Sequence, residues 1–318
     1  MRMKTQIAKI LEGDVRAAAR LMRDIEDEAP HAIEDMKSLY PHTGKAYIIG
    51  VTGAPGVGKS TLVDTLVRGF REKGMTVGVV AIDPTSPFTG GAILGDRIRM
   101  QSHSTDPGVF IRSVATRGWA GGLSKSTLNL IHIMDAMKKD IILVETVGTG
   151  QAEVDIVNAA DTSILVLIPG MGDAIQMMKA GILEGTDIFV INKIDRDSAD
   201  DVKMQLEVML GMKDSLSDGW RPPIVLTEAV NNKGIAELVA EIMRHKESLT
   251  SSGGLEKRRK ERAKLELIEA VEGYLKSHIT DRIDKDYLQR LVDDLAQKKT
   301  DPYSVALEII NQSIKLIC

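Results

Sequence analysis

Short apolar runs alternate with amphipathic segments along most of the chain. The runs are apolar nearly throughout instead of at every second position, which is typical of strands buried on both faces of a sheet. The segments between them, such as 60–74 and 172–186, have helical spacing. This alternation predicts an α/β fold with a doubly wound, mostly parallel sheet. The seven predicted strands are 46–53, 76–83, 108–115, 140–148, 162–170, 187–195 and 222–229.

Both ends of the chain have helical patterns instead. Near the start, apolar side chains recur on one helical face, at Ile7, Ile10, Leu11, Val15, Ala18, Leu21 and Met22. The segment 250–257, which contains serine and glycine, predicts a linker to further helices. We therefore expect a helical N-terminal extension at 1–44, the α/β domain at 45–250 and a helical C-terminal extension at 251–318.

Composition narrows the class of protein. With 43% hydrophobic residues, 27% charged residues and a formal net charge of −4, the chain has no basic footprint for nucleic acid. Cys318 is the single cysteine, which excludes a disulfide framework. Apolar runs fall short of the ~18 residues of a membrane span, and the start of the chain does not match a secretory signal. We expect a cytoplasmic protein without a membrane partner. The basic run 257–262 predicts a solvated helix face in preference to a site for an anionic partner.

The residues GAPGVGKS, 53–60, follow the first predicted strand and precede a helical segment. They match the phosphate-binding loop G-x-x-x-x-G-K-[ST] in the strand–loop–helix context that this motif requires. Its glycines let the backbone wrap around a diphosphate, Lys59 is expected to reach the β- and γ-phosphates, and the Ser60 hydroxyl is expected to bind Mg²⁺. The sequence predicts a nucleotide site formed by Gly53, Ala54, Pro55, Gly56, Val57, Gly58, Lys59, Ser60 and Thr61.

The residues NKID, 192–195, indicate which base is bound. Asp195 can accept hydrogen bonds from both N1–H and the exocyclic amine of guanine, and adenine does not offer that pair of donors. Asn192 can contact the far edge of the base, and the stem of Lys193 can pack on its face. Because the motif ends a later strand, where α/β sheets bind ligands, we expect a guanine nucleotide.

Three further positions at strand ends have chemistry suited to Mg²⁺ or to the γ-phosphate. ETVG, 145–148, occupies the place of the D-x-x-G of nucleotide hydrolases, and Gly148 can donate its N–H to the γ-phosphate. Asp83 ends the second predicted strand and Asp96 follows a glycine-rich stretch, so either carboxylate can orient Mg²⁺ directly or through water. A plain glycine turn and ordinary exposed aspartates are the alternatives.

Several long strings match one known family: GAPGVGKST, AIDPTSPFTGGAILGDRIRM, RGWAGGLS, ETVGTGQAEVDI, PGMGDAIQMMKAGILE and NKID. On these strings the chain resembles the MeaB/ArgK family of P-loop GTPases, whose human relative is the methylmalonic aciduria type A protein. The family belongs to the SIMIBI class of GTPases. The resemblance implies a GTP-hydrolysing chaperone that gates adenosylcobalamin delivery to a cobalamin-dependent acyl-CoA mutase and protects or reactivates it. It also implies bound GTP or GDP with Mg²⁺, and contact with adenosylcobalamin only through the partner mutase.

The resemblance also implies roles for particular residues. It adds Glu145 to the metal surroundings formed by Ser60, Asp83 and Asp96. The segment GDAIQMMK matches the family's third switch, which puts Gln176 and Lys179 near the nucleotide when a mutase is bound. A solvated helix face is the alternative for these two residues. The family is typically homodimeric through its C-terminal helices, here about 255–318.

The chain departs from common patterns at the base site. Where many GTPases have Ser-Ala-Lys, this chain has Glu228, Ala229 and Val230, which favours a base contact through the backbone alone. Thr149 also stands where the family more usually has valine, a change that we interpret as neutral.

Three other functions stay open at this point. A nickel-insertion GTPase has related chemistry but needs a metal-holding segment rich in cysteine and histidine. A P-loop kinase of small molecules leaves NKID unexplained. A pure interaction switch without a cofactor role is opposed only by the family resemblance.

Overall fold

The computed structural model describes residues 2–83, 103, 105–115, 125–146, 148, 152–170, 182–196, 199–211, 219–282 and 284–315. Its centre is a seven-stranded sheet in which every pair of neighbouring strands is parallel. The strands are β1 (Tyr47–Thr52), β2 (Val77–Asp83), β3 (Val109–Ala115), β4 (Ile141–Glu145), β5 (Thr162–Leu167), β6 (Ile188–Ile191) and β7 (Ile224–Leu226). Their spatial order is β3-β2-β4-β1-β5-β6-β7. This confirms the predicted doubly wound α/β fold and all seven predicted strands.

Eleven α-helices are described around and after this sheet. They are α1 (Arg2–Leu11), α2 (Val15–Glu26), α3 (Ala32–Leu39), α4 (Lys59–Glu72), α5 (Lys125–Ala136), α6 (Ala152–Ala159), α7 (Ala199–Gly211), α8 (Ile235–Ser252), α9 (Gly254–Arg282), α10 (Lys285–Ala296) and α11 (Pro302–Lys315). No helix in the described part of the chain is long and apolar enough to cross a membrane.

Helices cover both faces of the sheet because alternate strand residues point to opposite sides. On one face, Ile49 and Val51 of β1 share a core with α4 and α8. On the other face, Ile48 shares a core with α1, α2, α3 and α5. The strands are therefore buried on both sides, which explains their continuous apolar sequences.

The N-terminal helices are part of the second core and not a separate layer. Ile10, Leu21 and Met22 are fully buried, as the spacing predicted. Val15 was predicted on the same buried face but is 44% exposed. It begins α2 directly after the capping residue Asp14, whose carboxylate accepts a hydrogen bond from the Ala17 N–H at 2.7 Å. The Asp14 cap therefore fixes the backbone at the start of α2, and this position does not require the Val15 side chain to be buried.

The predicted linker at 250–257 was wrong. Helix α8 continues to Ser252, Gly253 adopts a left-handed conformation with φ 74°, and α9 begins at Gly254. The predicted solvated face at 257–262 was also wrong in part. The Arg258 guanidinium donates to both carboxylate oxygens of Asp187 at 2.8 and 2.7 Å, and Arg259 donates to the Ala46 carbonyl at 3.0 Å.

The chain forms two compact units, residues 1–259 and 260–318. The first contains the sheet and both of its cores. The second contains most of α9 together with α10 and α11. The three-part division at residues 44 and 250 stays a prediction about domains.

Candidate functional site

The parallel strands direct their carboxyl ends to one edge of the sheet, and the predicted nucleotide motifs lie there. The phosphate loop connects the end of β1 to α4, whose first residue is Lys59. The Lys59 ammonium donates to the carbonyls of Gly53 and Ala54 at 2.7 and 3.0 Å, and the residue is 6% exposed. The predicted phosphate-binding cation thus lies across its own loop, at the N-terminus of a helix that favours anions.

Ser60 and Glu145 meet beside the phosphate loop. The Ser60 hydroxyl donates to a Glu145 carboxylate oxygen at 2.6 Å. Glu145 ends β4 opposite Ala81 of β2, and Asp83 follows two residues later at the end of that strand. Glu145 and Asp83 are both buried. This set of a hydroxyl and carboxylates is the oxygen chemistry that Mg²⁺ prefers, so the residues fit the metal.

No group of three or more histidine, cysteine, aspartate or glutamate side chains is placed to hold a metal ion within the described ranges. A magnesium site that relies on few carboxylates and on nucleotide phosphates does not require such a group. Asp96, the fourth predicted metal residue, lies outside the described residues, as do Gln176 and Lys179.

Gly148 lies directly against the phosphate loop. Its φ of 93° is in the left-handed region, which favours glycine. A Cβ atom added there would lie 2.5 Å from the Gly53 carbonyl oxygen and 2.8 Å from the Lys59 Nζ. Any side chain at this position would therefore displace the loop, and the predicted bond from the Gly148 N–H to the γ-phosphate stays a prediction.

Asn192 connects the phosphate loop with the loop after β7. Its amide nitrogen donates to the Val57 carbonyl at 2.9 Å, and its amide oxygen accepts from the Ala229 N–H and the Thr227 hydroxyl, each at 3.1 Å. The side chain is buried. In this arrangement the whole amide holds the two loops together, and the predicted contact with the far edge of the base stays a prediction.

The rest of NKID lies beside the same loops. The Lys193 ammonium donates to the Gly56 carbonyl at 2.7 Å, so its stem crosses the phosphate loop. Lys193 has a left-handed backbone with φ 59°. Asp195 follows in the exposed turn after β6. Asn192 and Lys193 therefore both bond to the phosphate loop, and the contact of Asp195 with the base stays a prediction.

The loop at 228–230 is fixed from within. Ala229 is buried and its N–H donates to Asn192, whereas Val230 is 81% exposed. The pKa of Glu228 is lowered by hydrogen bonds from Lys233 and Asn231. Thr227 and Lys233 also lie at this loop, although neither belongs to a motif in the sequence. The dipeptide Asn231-Asn232 before Gly234 is a turn signal that could have indicated that Glu228 and Lys233 are paired across a turn.

Comparison with known proteins identifies the family of this chain. Residues 18–284 match the family model described as "Methylmalonyl Co-A mutase-associated GTPase MeaB". The chain belongs to the MeaB family. The match extends from α2 to the last residues before α10, so it includes the whole nucleotide site.

Relatives of the MeaB family member described here occur in archaea, bacteria and animals. A relative in Pyrococcus abyssi that carries a GTPase name is 50% identical over 97% of this chain and 96% of its own length. The GTPase ArgK of Escherichia coli is 32% identical over 90% of this chain and 89% of its own length. The methylmalonic aciduria type A homolog, mitochondrial, of Caenorhabditis elegans is 34% identical over 73% of this chain and 60% of its own length.

A crystal structure described as a LAO/AO transport system kinase has the same fold, with a TM-score of 0.71 and 26% identity over 99% of this chain and 97% of that one. The family and its named relatives are GTPases. This chain therefore binds guanine nucleotide and hydrolyses GTP to GDP and phosphate.

Proposed function

We propose that this GTPase gates the delivery of adenosylcobalamin to a cobalamin-dependent acyl-CoA mutase and helps to protect or reactivate that enzyme. The observation that carries the proposal is the match to a mutase-associated family over residues 18–284. The name of the Caenorhabditis elegans relative, a methylmalonic aciduria type A homolog, agrees with it. In this proposal the chain contacts adenosylcobalamin only through the mutase. GTP hydrolysis determines when the cofactor is transferred to the mutase.

The nucleotide chemistry of the proposal depends on positioned charge. Phosphoryl transfer needs little covalent help from a protein, so the main tasks are to hold the phosphates and to stabilise the charge that develops on them. In this proposal, Lys59 exchanges its loop carbonyls for the β- and γ-phosphates, and the Gly148 N–H donates to the γ-phosphate. Lys59 is already at the loop that would hold those phosphates, which supports its role.

Magnesium, when bound, would neutralise part of the charge on the β- and γ-phosphates. Ser60 and Glu145 are the residues that we assign to it, with Asp83 and Asp96 completing its surroundings. The 2.6 Å separation of the Ser60 and Glu145 oxygens supports this assignment. Glu145 thus holds the Ser60 hydroxyl in place before the metal arrives.

Base recognition is assigned to Asp195, with Asn192 and Lys193 beside it. The Asp195 carboxylate accepts from N1–H and the exocyclic amine of guanine. Asn192 holds the surrounding loops in position for this contact, because its hydrogen bonds join the phosphate loop to the loop that begins at Thr227.

The response to the mutase is assigned to Gln176 and Lys179. A segment that moves against the nucleotide when a partner binds can complete an incomplete catalytic site. A lysine ammonium near the γ-phosphate would stabilise the developing charge, and a glutamine could hold neighbouring loops. Free protein would therefore hydrolyse GTP slowly, and the mutase would accelerate it.

GTP turnover with and without purified methylmalonyl-CoA mutase tests this proposal. We expect the mutase to accelerate the wild type, and we expect Gln176→Ala and Lys179→Ala to keep basal turnover but lose most of the acceleration. Lys59→Ala, which removes the phosphate-binding cation, is the inactive control under both conditions. Full acceleration of Lys179→Ala would remove that residue from the mechanism. A wild type that no cobalamin mutase accelerates would contradict the chaperone function.

We also assign a homodimer to this protein, formed through the helices of residues 255–318. The exposed apolar side chains in the second compact unit support the assignment.

A further inference from the structure

A short hairpin follows β7 and brings two charged residues together beside the base site. The backbone N–H of Glu228 donates to the carbonyl of Lys233, and the N–H of Lys233 donates to the carbonyl of Glu228, each at 3.2 Å. Between them lies a single 3₁₀ turn, and Asn232 closes the hairpin with a left-handed φ of 57°. The sequence separation of five residues therefore becomes a direct cross-strand pair.

The side chains of this pair also bond to each other. The Lys233 ammonium lies 2.6 Å from a Glu228 carboxylate oxygen, and the other oxygen accepts from the amide of Asn231. The Glu228 side chain is only 11% exposed, whereas that of Lys233 is 65% exposed. A largely covered carboxylate is thus compensated by a lysine that reaches it from the solvent side. Hydrogen bonds from Lys233 and Asn231 lower the pKa of Glu228, which keeps this carboxyl ionised.

The hairpin is attached to the base-recognition motif at two points. The N–H of Ala229, next to Glu228, donates to Asn192 at 3.1 Å. The backbone N–H of Ile194, next to Asp195, donates to the carbonyl of Thr227, next to Glu228, at 3.3 Å. A shift of the hairpin backbone would therefore move both Asn192 and the backbone next to Asp195.

We propose that Glu228 and Lys233 are positioning residues for guanine recognition, in which Lys233 compensates Glu228 so that Asp195 stays in place for N1–H and the exocyclic amine of the base. The inference rests on the base site of the proposed function. It also explains how this chain tolerates glutamate where many GTPases have serine. The extra negative charge comes with its own cation five residues later.

Binding of GDP and IDP to purified full-length protein tests the pair. IDP lacks the exocyclic amine but keeps N1–H and the phosphates, so it separates the amine contact of Asp195 from the phosphate contacts. We expect Lys233→Met to weaken GDP binding about tenfold and IDP binding less, so that the preference for GDP over IDP falls. Lys233→Arg should keep the wild-type preference, because it retains the cation.

The double variant Glu228→Ser, Lys233→Met provides the decisive rescue. Since serine carries no charge to compensate, GDP affinity should return to within about twofold of the wild type. Lys37→Met is the matched control: Lys37 also pairs with a carboxylate at 2.6 Å and is 66% exposed, but its partner Glu34 is 58% exposed and far from the site in sequence. It should leave both affinities unchanged.

Two results would overturn the inference while the base site stands: unchanged GDP affinity in Lys233→Met, or an equal loss of GDP and IDP that the double variant does not rescue. Such an equal loss without rescue would indicate a merely structural role. Wild-type protein that binds ADP as tightly as GDP would instead overturn the base site itself. The two failures are therefore distinguishable in the same titrations.

Discussion

At the scale of single residues, Asn192 joins the phosphate loop to the loop after β7 through one amide. Its nitrogen donates to the Val57 carbonyl of the phosphate loop, and its oxygen accepts from Thr227 and Ala229 after β7. A displacement of one loop would therefore strain the hydrogen bonds that Asn192 forms with the other loop. The short Asn side chain meets both loops only because Gly58 leaves room: a Cβ atom there would lie 2.6 Å from the Asn192 amide nitrogen. Residue types in two separate motifs are thus mutually required.

The base preference is predicted to depend on Asp195. In Asp195→Asn the new amide donates where xanthine offers a carbonyl, so preference should move from GDP toward XDP. Loss of a paired hydrogen bond to a charged group corresponds to about a ten- to hundred-fold weaker GDP affinity. Isothermal titration calorimetry with GDP, XDP and ADP measures it. Asp200→Asn, at an exposed aspartate on α7, is the control and should bind as the wild type does. Unchanged GDP affinity in Asp195→Asn would exclude Asp195 as the guanine acceptor.

At the scale of elements, the sheet was predictable because each strand is buried on both faces. A strand that is buried on both faces needs apolar residues throughout. This pattern can be recognised in the sequence without knowing which strands lie beside it. The phosphate loop was predictable for a similar reason, since its chemistry is contained in eight consecutive residues. Glu145 and Ser60 are 85 residues apart in the chain, and their contact at 2.6 Å depends on β4 lying beside β1.

The start of α9 shows what the local sequence could not reveal. Serine and glycine at 251–254 favour a linker by composition, and the following basic residues favour a solvated surface. Instead, Arg258 forms a bidentate ion pair with Asp187. Asp187 is 71 residues away in sequence and lies just before β6. Such a long-range ion pair stabilises the helix there, and tertiary contacts of this kind have no local signal.

A second ion pair joins the end of α4 to the start of β3 and makes stability depend on pH. Arg71 donates to both carboxylate oxygens of Asp106, at 2.8 and 3.0 Å, and the Gly108 N–H donates to the same carboxylate at 2.7 Å. These bonds, that of Arg71 first, lower the pKa of Asp106 in the folded state below its ordinary value of 3.8. The stabilisation is therefore complete above about pH 4 and is lost as the pH falls through the lowered pKa.

Asp106→Asn is predicted to lower the free energy of unfolding by about 1 kcal/mol at neutral pH, because the pair is partly exposed to solvent. The difference from the wild type should shrink as the pH falls below 4, where Asp106 of the wild type becomes protonated. Urea unfolding between pH 7 and pH 2.5 measures both proteins under the same conditions. A difference that stays constant across this range would show that the ionised carboxylate does not contribute.

At the scale of the whole molecule, apolar surface is unevenly divided between the two compact units. Among the described residues, eleven of the seventeen exposed large apolar side chains lie in the second unit, although it is much the shorter. They are Leu265, Leu267, Ile268, Val271, Tyr274, Leu275, Leu288, Val292, Tyr303, Leu307 and Ile310. In the described part of this unit, Val305 is the single buried apolar residue. Helices that bury so little of their own apolar surface need a partner, which supports the proposed homodimer.

Charged substitutions on α11 should therefore separate the proposed dimer. Leu307 is 61% exposed in the chain described here, and Leu307→Asp would place a carboxylate within the interface, where an unpaired charge costs several kcal/mol if it loses its water. We expect the wild type to sediment as a dimer at micromolar concentration and Leu307→Asp to sediment as a monomer, both with the circular dichroism of the folded protein.

Met204→Lys is the matched control, since Met204 on α7 is also 61% exposed but lies in the first unit. A wild type that sediments as a monomer would contradict the homodimer, and a dimeric Leu307→Asp protein would exclude this part of α11 from the interface. Because GTP turnover depends on residues of the first unit, the monomeric variant should keep its basal rate, which separates loss of assembly from loss of the site.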